Sequence, residues 1–215
     1  MLLGIVFTGG EAPSRQIIQQ AVNGKDAVLA AADSGLTAAE DAGFRPDWII
    51  GDMDSLDDQE RLSKYQPQRV MRCKTDKDYT DTEMALALLA EKGCDTFWIL
   101  GGGGGRIDHL FGIRSLFERD VFPSRWITGA ADIRCIDSYS PEKSTLSLRL
   151  ESGALVSVFP LAGGPWKAQS AGLKWPLNGL VWNRGSTGIS NRTTEKFFSI
   201  KVIHGRFLII LPLGS

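Results

Sequence analysis

From residue 2 to about residue 137 the chain alternates short apolar runs with helical patterns, and few architectures accommodate that alternation. It calls for an α/β domain in which helices cross over a mostly parallel sheet. Strands are expected at 2–8, 27–32, 48–51, 68–72, 96–100 and 133–136. Between them, Pro13 and Ser14 open a helix to about Asn23, a shorter one spans 37–42, and another spans 57–64. Thr80 and Glu83 have capping-box spacing, so a helix starts there, runs through Met84, Leu88 and Leu89, and stops at Gly93. One more helix follows the glycine run at 101–105, with Leu110, Ile113 and Phe117 on one face.

After Ser138-Tyr139-Ser140-Pro141 the pattern changes. Segments 143–150, 154–160, 167–171, 195–202 and 206–211 alternate or run apolar, favour β-branched and aromatic residues, and are separated by glycine, proline and asparagine. That is a small all-β domain. A total of 215 residues suits this division into a domain over 1–137 and another over 138–215.

Charge and cysteine usage narrow the function. With a formal net charge of −1 and no basic cluster among aromatics, the chain carries no footprint for nucleic acid. Cys73, Cys94 and Cys135 are widely spaced and odd in number, which fits neither a disulfide framework nor a CxxC metal site. They are expected to be reduced and structural. The apolar start, residues 1–7, is short, lacks a basic flank and runs straight into Thr8-Gly9-Gly10, so it reads as a core strand and not as a signal peptide. No apolar run approaches the ~18 residues of a membrane span, and the expected compartment is the cytoplasm.

Carboxylates gather where the strands of the first domain should end: Asp33, then Asp52 and Asp54, then Asp76, Asp78 and Asp81, then Asp108. If residues 52–54 are extended, Asp52 and Asp54 point the same way and can share a divalent cation. Lys74 and Lys77 alone offset the third cluster locally, and a polyphosphate held through Mg²⁺ explains such crowding. Taken singly, any of these aspartates equally suits a turn or a helix cap.

The strand at 96–100 feeds five glycines and then Arg106-Ile107-Asp108-His109. Consecutive glycines let backbone amides approach an anion, and a helix start beyond them adds its positive end. The run has neither the Gly-Lys-Ser/Thr of a P-loop nor dinucleotide-fingerprint spacing, so by itself it also suits a flexible loop. Arg106 adds a planar fork for phosphate, and Asp108 can orient that fork or serve a metal.

The stretches Ala32-Asp33-Ser34-Gly35, GDMDSL at 51–56, DKDYTDTEMAL at 76–86, GGRIDH at 104–109, GLKWPL at 172–177 and GISN at 188–191 occur in the order seen in one family. The chain resembles bacterial-type thiamine pyrophosphokinases, with Ser34 where that family usually has glycine and with a longer glycine run. The resemblance implies transfer of a pyrophosphoryl group from ATP, as co-substrate, to the hydroxyl of thiamine, giving thiamine diphosphate and AMP. It also implies Mg²⁺, an N-terminal α/β domain, a C-terminal β-sandwich that binds thiamine, and a homodimer with active sites at the subunit interface. Carried over motif by motif, Asp52, Asp54 and Asp81 are the metal carboxylates, and Asp78 and Arg106 join them as catalytic residues. Asp33, Gly102, Gly103, Gly104, Arg106, Asp108 and His109 fall on the nucleotide side. Lys77, Trp175, Ser190 and Asn191 fall on the thiamine side.

The chemistry agrees with that implication. Alcohol attack on phosphorus builds charge on oxygens that Mg²⁺ and Arg106 can stabilise, and positioning supplies most of the rest. Asp81 can accept the alcohol proton or hold metal. A thiazolium cation over an indole gains ~0.5–2 kcal/mol, and Trp175 lies in a Gly/Pro/Asn-rich stretch unlike a core strand. Two rivals remain from the residues alone. One is a nucleotide-sugar transferase using Asp52-Met53-Asp54 as a DxD motif; the other is a non-catalytic thiamine-binding module.

Overall fold

Six strands of the first half form in parallel register around β1 (Leu3–Thr8). On one side lie β2 (Ala27–Ala32), β3 (Trp48–Gly51) and β4 (Val70–Arg72); on the other lie β5 (Thr96–Gly101) and β6 (Arg125–Ile127). The computed structural model describes residues 1–53, 59–73 and 78–214, apart from the side chains of Gln59 and Glu60. Parallel strands must be joined by crossovers, and α1 (Arg15–Val22), α2 (Gly35–Asp41), α3 (Gln59–Ser63), α4 (Asp81–Glu91) and α5 (Ile107–Leu116) fall in the connections. The chain winds outward from β1 through β2, β3 and β4, then returns to the far side of β1 as β5. That reversal leaves a crevice beyond the ends of β1 and β5, the place where open α/β sheets bind ligands.

Small residues bring the helices close. A Cβ on Gly35 would lie 2.2 Å from the Phe7 carbonyl oxygen, so the start of α2 rests on the β1 backbone only because that side chain is absent. On the other helix, Leu89 and Ala85 are fully buried, and a Cβ on Gly4 would meet Leu89 at 3.0 Å. Ser14 caps α1, its hydroxyl accepting from the Ile17 N–H at 3.4 Å. The predicted capping box is present on α4: Thr80 N–H donates to Glu83 Oε2 at 2.7 Å and Glu83 N–H donates to Thr80 Oγ1 at 3.3 Å.

The two compact units are Met1–Gly129 and Ala130–Ser215. The strand expected at 133–136 forms as β7 (Ala131–Asp137) and pairs antiparallel with a strand of the second unit. That unit also contains β8 (Thr145–Arg149), β9 (Leu155–Leu161), β10 (Lys167–Ala171), β11 (Gly188–Arg192), β12 (Phe197–His204) and β13 (Arg206–Pro212). Within it, β11, β9, β13 and β7 are consecutive antiparallel neighbours, while β10, β12 and β8 make a three-stranded sheet. Val156, Val158, Phe207 and Ile209 from the first group share one core with Phe198, Ile200 and Val202 from the second, which makes the unit a sandwich.

Two strands and several element boundaries differ from the sequence reading, the start of β4 among them. Residues 67–69 form a short 3₁₀ turn begun by Pro67, so β4 starts at Val70 and not at 68. β6 has three residues, too few to show periodicity. β11, absent from the strands expected in the second unit, is polar and bulged, with a register shift between Gly188 and Asn191 and Ser190 at φ 62°. All three cysteines are free; Cys94 and Cys135 are buried, and burial pushes the Cys135 thiol up to about 12.

Candidate functional site

A cleft of about 500 Å³ opens at the ends of β1 and β5 within the first unit. Its walls come from four segments that each follow a strand or start a helix: Thr8 to Gly10, Ala32 to Ser34, Thr80 to Thr82, and Gly102 to Arg106 with the first turns of α5. The segments after β1 and β5 are joined directly. Gly102 N–H donates to the Gly9 carbonyl at 2.9 Å, Glu11 N–H donates to the Gly103 carbonyl at 2.6 Å, and Gly103 N–H donates back to Glu11 at 3.1 Å. A Cβ on Gly101 would lie 2.3 Å from the Thr8 carbonyl oxygen, and Gly101 and Gly102 have φ of 102° and 71°. The run therefore folds back over β1 because it is glycine.

At the rim, Arg106 precedes α5 and donates through Nε to Asp108 Oδ1 at 3.2 Å and through Nη2 to Asp108 Oδ2 at 2.5 Å. The hydrogen bond from Arg106 holds the Asp108 carboxyl below its usual range, and the same contact raises Arg106. Asp108 thus orients the guanidinium fork, leaving its remaining N–H groups for an anion. His109 lines the same wall and is exposed.

Asp33 follows β2 with φ 47°, its N–H donating to the Ile50 carbonyl at 3.0 Å. Its carboxylate rests in a notch at the end of β3, where a Cβ on Gly51 would lie 1.8 Å from Asp33 Oδ1. Asp81 is the first residue of α4 and lines the cleft; Asp52 and Asp78 are not among its lining residues. Met53 is buried with φ 66°, so the chain leaves the extended conformation of β3 at Met53, the residue between the two aspartates expected to share a direction. Asp54, Asp76 and Lys77 lie outside the described residues. Among the described residues, no group of three or more His, Cys, Asp or Glu side chains stands together as a metal cluster.

Behind Asp81, Glu83 completes the α4 cap and forms an ion pair with Arg119. Burial alone would push the Glu83 carboxyl up, but the backbone and hydroxyl of Thr80 together with Arg119 hold it below its usual range. Thr8 and Thr82, whose hydroxyls meet at 2.7 Å, line the cleft as well, and neither was singled out from sequence. The signal for Thr8 was present: Thr8-Gly9-Gly10 is a second strand that ends on glycines.

Trp175, Ser190 and Asn191 belong to the second unit. The Trp175 indole is 53% exposed, and Lys174 Nζ stands 4.7 Å from its centroid. Asn191 is buried and turned to the Trp175 backbone. Its Oδ1 accepts from Trp175 N–H at 3.1 Å and its Nδ2 donates to the Trp175 carbonyl at 2.7 Å. Ser190 is exposed, with its N–H donating to Ser157 Oγ at 3.1 Å. The other tryptophans near this stretch serve packing. Trp182 is buried edge-on against Phe207, with centroids 5.3 Å apart, and Trp166 Nε1 donates to the Leu161 carbonyl at 2.8 Å.

Comparison with known proteins covers both units. Residues 19–123 match the family described as thiamin pyrophosphokinase, catalytic domain, and residues 143–205 match thiamin pyrophosphokinase, vitamin B1 binding domain. The thiamine pyrophosphokinase of Bacillus subtilis (strain 168) is 31% identical over 157 residues, covering 72% of each chain. The crystal structure of thiamine pyrophosphokinase from Bacillus subtilis superposes with a TM-score of 0.79 at 25% identity, covering 100% of both chains. That of thiamin pyrophosphokinase from Geobacillus thermodenitrificans gives 0.74 at 25% identity, covering 100% of this chain and 99% of the other.

Proposed function

Because the chain belongs to the thiamine pyrophosphokinase family, a family of transferases acting on ATP and thiamine, we propose that the first unit's cleft binds the ATP polyphosphate and that Trp175 faces thiamine. The observation that carries this reading is the meeting of the glycine run, the Arg106–Asp108 fork, Asp33 and Asp81 around one cleft. Phosphate needs backbone N–H groups and a fork, and carboxylates beside a phosphate site suit a cation that bridges the two.

Mg²⁺ fits the donor chemistry: Asp33, Asp52 and Asp81 offer hard oxygen ligands, and the missing Cβ of Gly51 gives the Asp33 carboxylate its notch. Asp52, Asp54 and Asp81 would hold it, and when bound it supplies neutralising charge for the transferring group. The chain's own residues do the positioning. Gly102 to Gly104 admit the phosphates, and Asp108 fixes Arg106 to meet charge developing on phosphoryl oxygens. The thiamine oxygen bonds to the β-phosphorus, the bond from that phosphorus to the α–β bridging oxygen breaks, AMP leaves, and the alcohol proton passes to a cleft carboxylate.

On the thiamine side, one face of Trp175 carries Lys174, so the thiamine rings take the other face. Asn191 acts by holding the Trp175 backbone, while Ser190 and Lys77 remain direct contacts in this reading. The chain works as a cytoplasmic homodimer with active sites at the subunit interface. No helix among the described residues is long and apolar enough to cross a membrane.

The test is substitution of the metal carboxylates. Asp52→Asn and Asp81→Asn should each lower turnover by several orders of magnitude while the melting temperature stays near that of the parent, since each keeps the size of the side chain and removes only the charge that a cation needs. Near-normal turnover in either variant rejects that ligand.

A further inference from the structure

The hydroxyls of Thr8 and Thr82 touch at 2.7 Å, and each residue is only 7% exposed. A hydroxyl pair carries two protons, and the contact between them uses one. Neither hydroxyl has another side-chain or backbone partner among the described residues. One donor of the pair therefore stays without an acceptor while lining the cleft, and a buried unmatched donor is costly enough that native proteins seldom keep one without a use.

The surroundings say what the acceptor is. Thr8 ends β1 and Thr82 is the second residue of α4, so the pair lies at the positive end of an eleven-residue helix. From the other side the glycine run presses in. A Cβ on Gly102 would stand 3.2 Å from Thr8 Cγ2, so the run reaches the pair only as bare backbone. A helix start, a glycine backbone and a spare hydroxyl proton together match an oxyanion. Resting on the reading of the cleft as the nucleotide site, we propose that the Thr8–Thr82 pair is a further substrate-binding element, donating its free proton to a phosphoryl oxygen of ATP.

The pair also spans two segments of the cleft, from the end of β1 to the start of α4, so an oxygen bound there fixes the triphosphate relative to Asp81. Neutral donors suit this place. They bind phosphate without adding a formal charge beside the carboxylates that hold the cation.

The experiment uses magnesium and α,β-methylene ATP, whose carbon bridge blocks transfer. Calorimetric titration of Thr8→Val or Thr82→Val should show about tenfold weaker binding in at least one of them, the scale of a lost hydrogen bond to a charged group. Thr8→Ser and Thr82→Ser keep the hydroxyl and should bind within about threefold of the parent. Parent-like affinity in both valine variants overturns the proposal, as does equal loss in the serine variants, which would trace the effect to the methyl groups. Should the valine variants not fold, a crystal structure of the unaltered chain with the analogue decides. A phosphoryl oxygen within hydrogen-bond distance of either hydroxyl upholds the proposal. A triphosphate in the cleft but away from both hydroxyls removes the proposal alone, and a nucleotide bound elsewhere removes the reading of the cleft as well.

Discussion

In the proposed thiamine site Trp175 and Asn191 divide one task. The indole is exposed and the amide is 6% exposed, its two polar atoms holding the backbone N–H and carbonyl of Trp175. Trp175→Ala should raise the KM for thiamine about tenfold with little change for ATP or in melting temperature, because a lost cation–π contact costs on the order of 1–2 kcal/mol and an exposed ring adds little packing. Asn191→Ala should raise the same KM and also lower the melting temperature, since it leaves the partly buried Trp175 N–H and carbonyl without these partners. Steady-state kinetics and thermal denaturation separate the two. A parent-like KM for thiamine in Trp175→Ala would move the thiamine wall elsewhere, and Trp182 is already committed to the core. The family resemblance marked Trp175 and Asn191 in the sequence, but which group the Asn191 amide satisfies was not readable there. Asn191 ends the register shift that begins at Gly188, so its direction follows no period, and Ser190 at φ 62° breaks the alternation.

At the scale of elements, signals with a local mechanism were legible and those fixed by distant partners were not. The α4 start is set by Thr80 and Glu83, three residues apart, and it stands where the spacing placed it. β11 exists through its pairing with β9, and β6 through its pairing with β5, so their own sequences carry little sign of either. The cap also gives α4 a pH response. Glu83 has a depressed folded-state value, so the unfolded chain binds the extra proton and stability rises with pH across that interval. Its contribution is fully present above the ordinary value of 4.5 and is lost as the pH falls through the lower folded-state value. Denaturation of the parent and Glu83→Gln should therefore show a constant stability gap from about pH 7 to pH 5.5 that narrows below about pH 4.5. A gap that stays constant down to the acid limit would show that the cap does not depend on the charge.

For the whole molecule, the change of pattern near residue 138 signalled two kinds of unit, and the structure divides the chain between Gly129 and Ala130. The cleft depends on winding order: β5 had to return beside β1, a long-range choice that no short window records. Thr8 and Thr82 are 74 positions apart and become neighbours only through that winding. Assembly is tested at this scale too. A dimer closing its sites at the subunit interface should sediment at twice the chain mass of 23.5 kDa at micromolar concentration, and a monomer that still turns over thiamine would contradict it. The most direct measurement is the nucleotide product formed with thiamine, ATP and magnesium. Pyrophosphoryl transfer predicts AMP and thiamine diphosphate in equal amounts, with AMP release dependent on thiamine and no ADP; ADP with thiamine monophosphate, or AMP released regardless of thiamine, would contradict it.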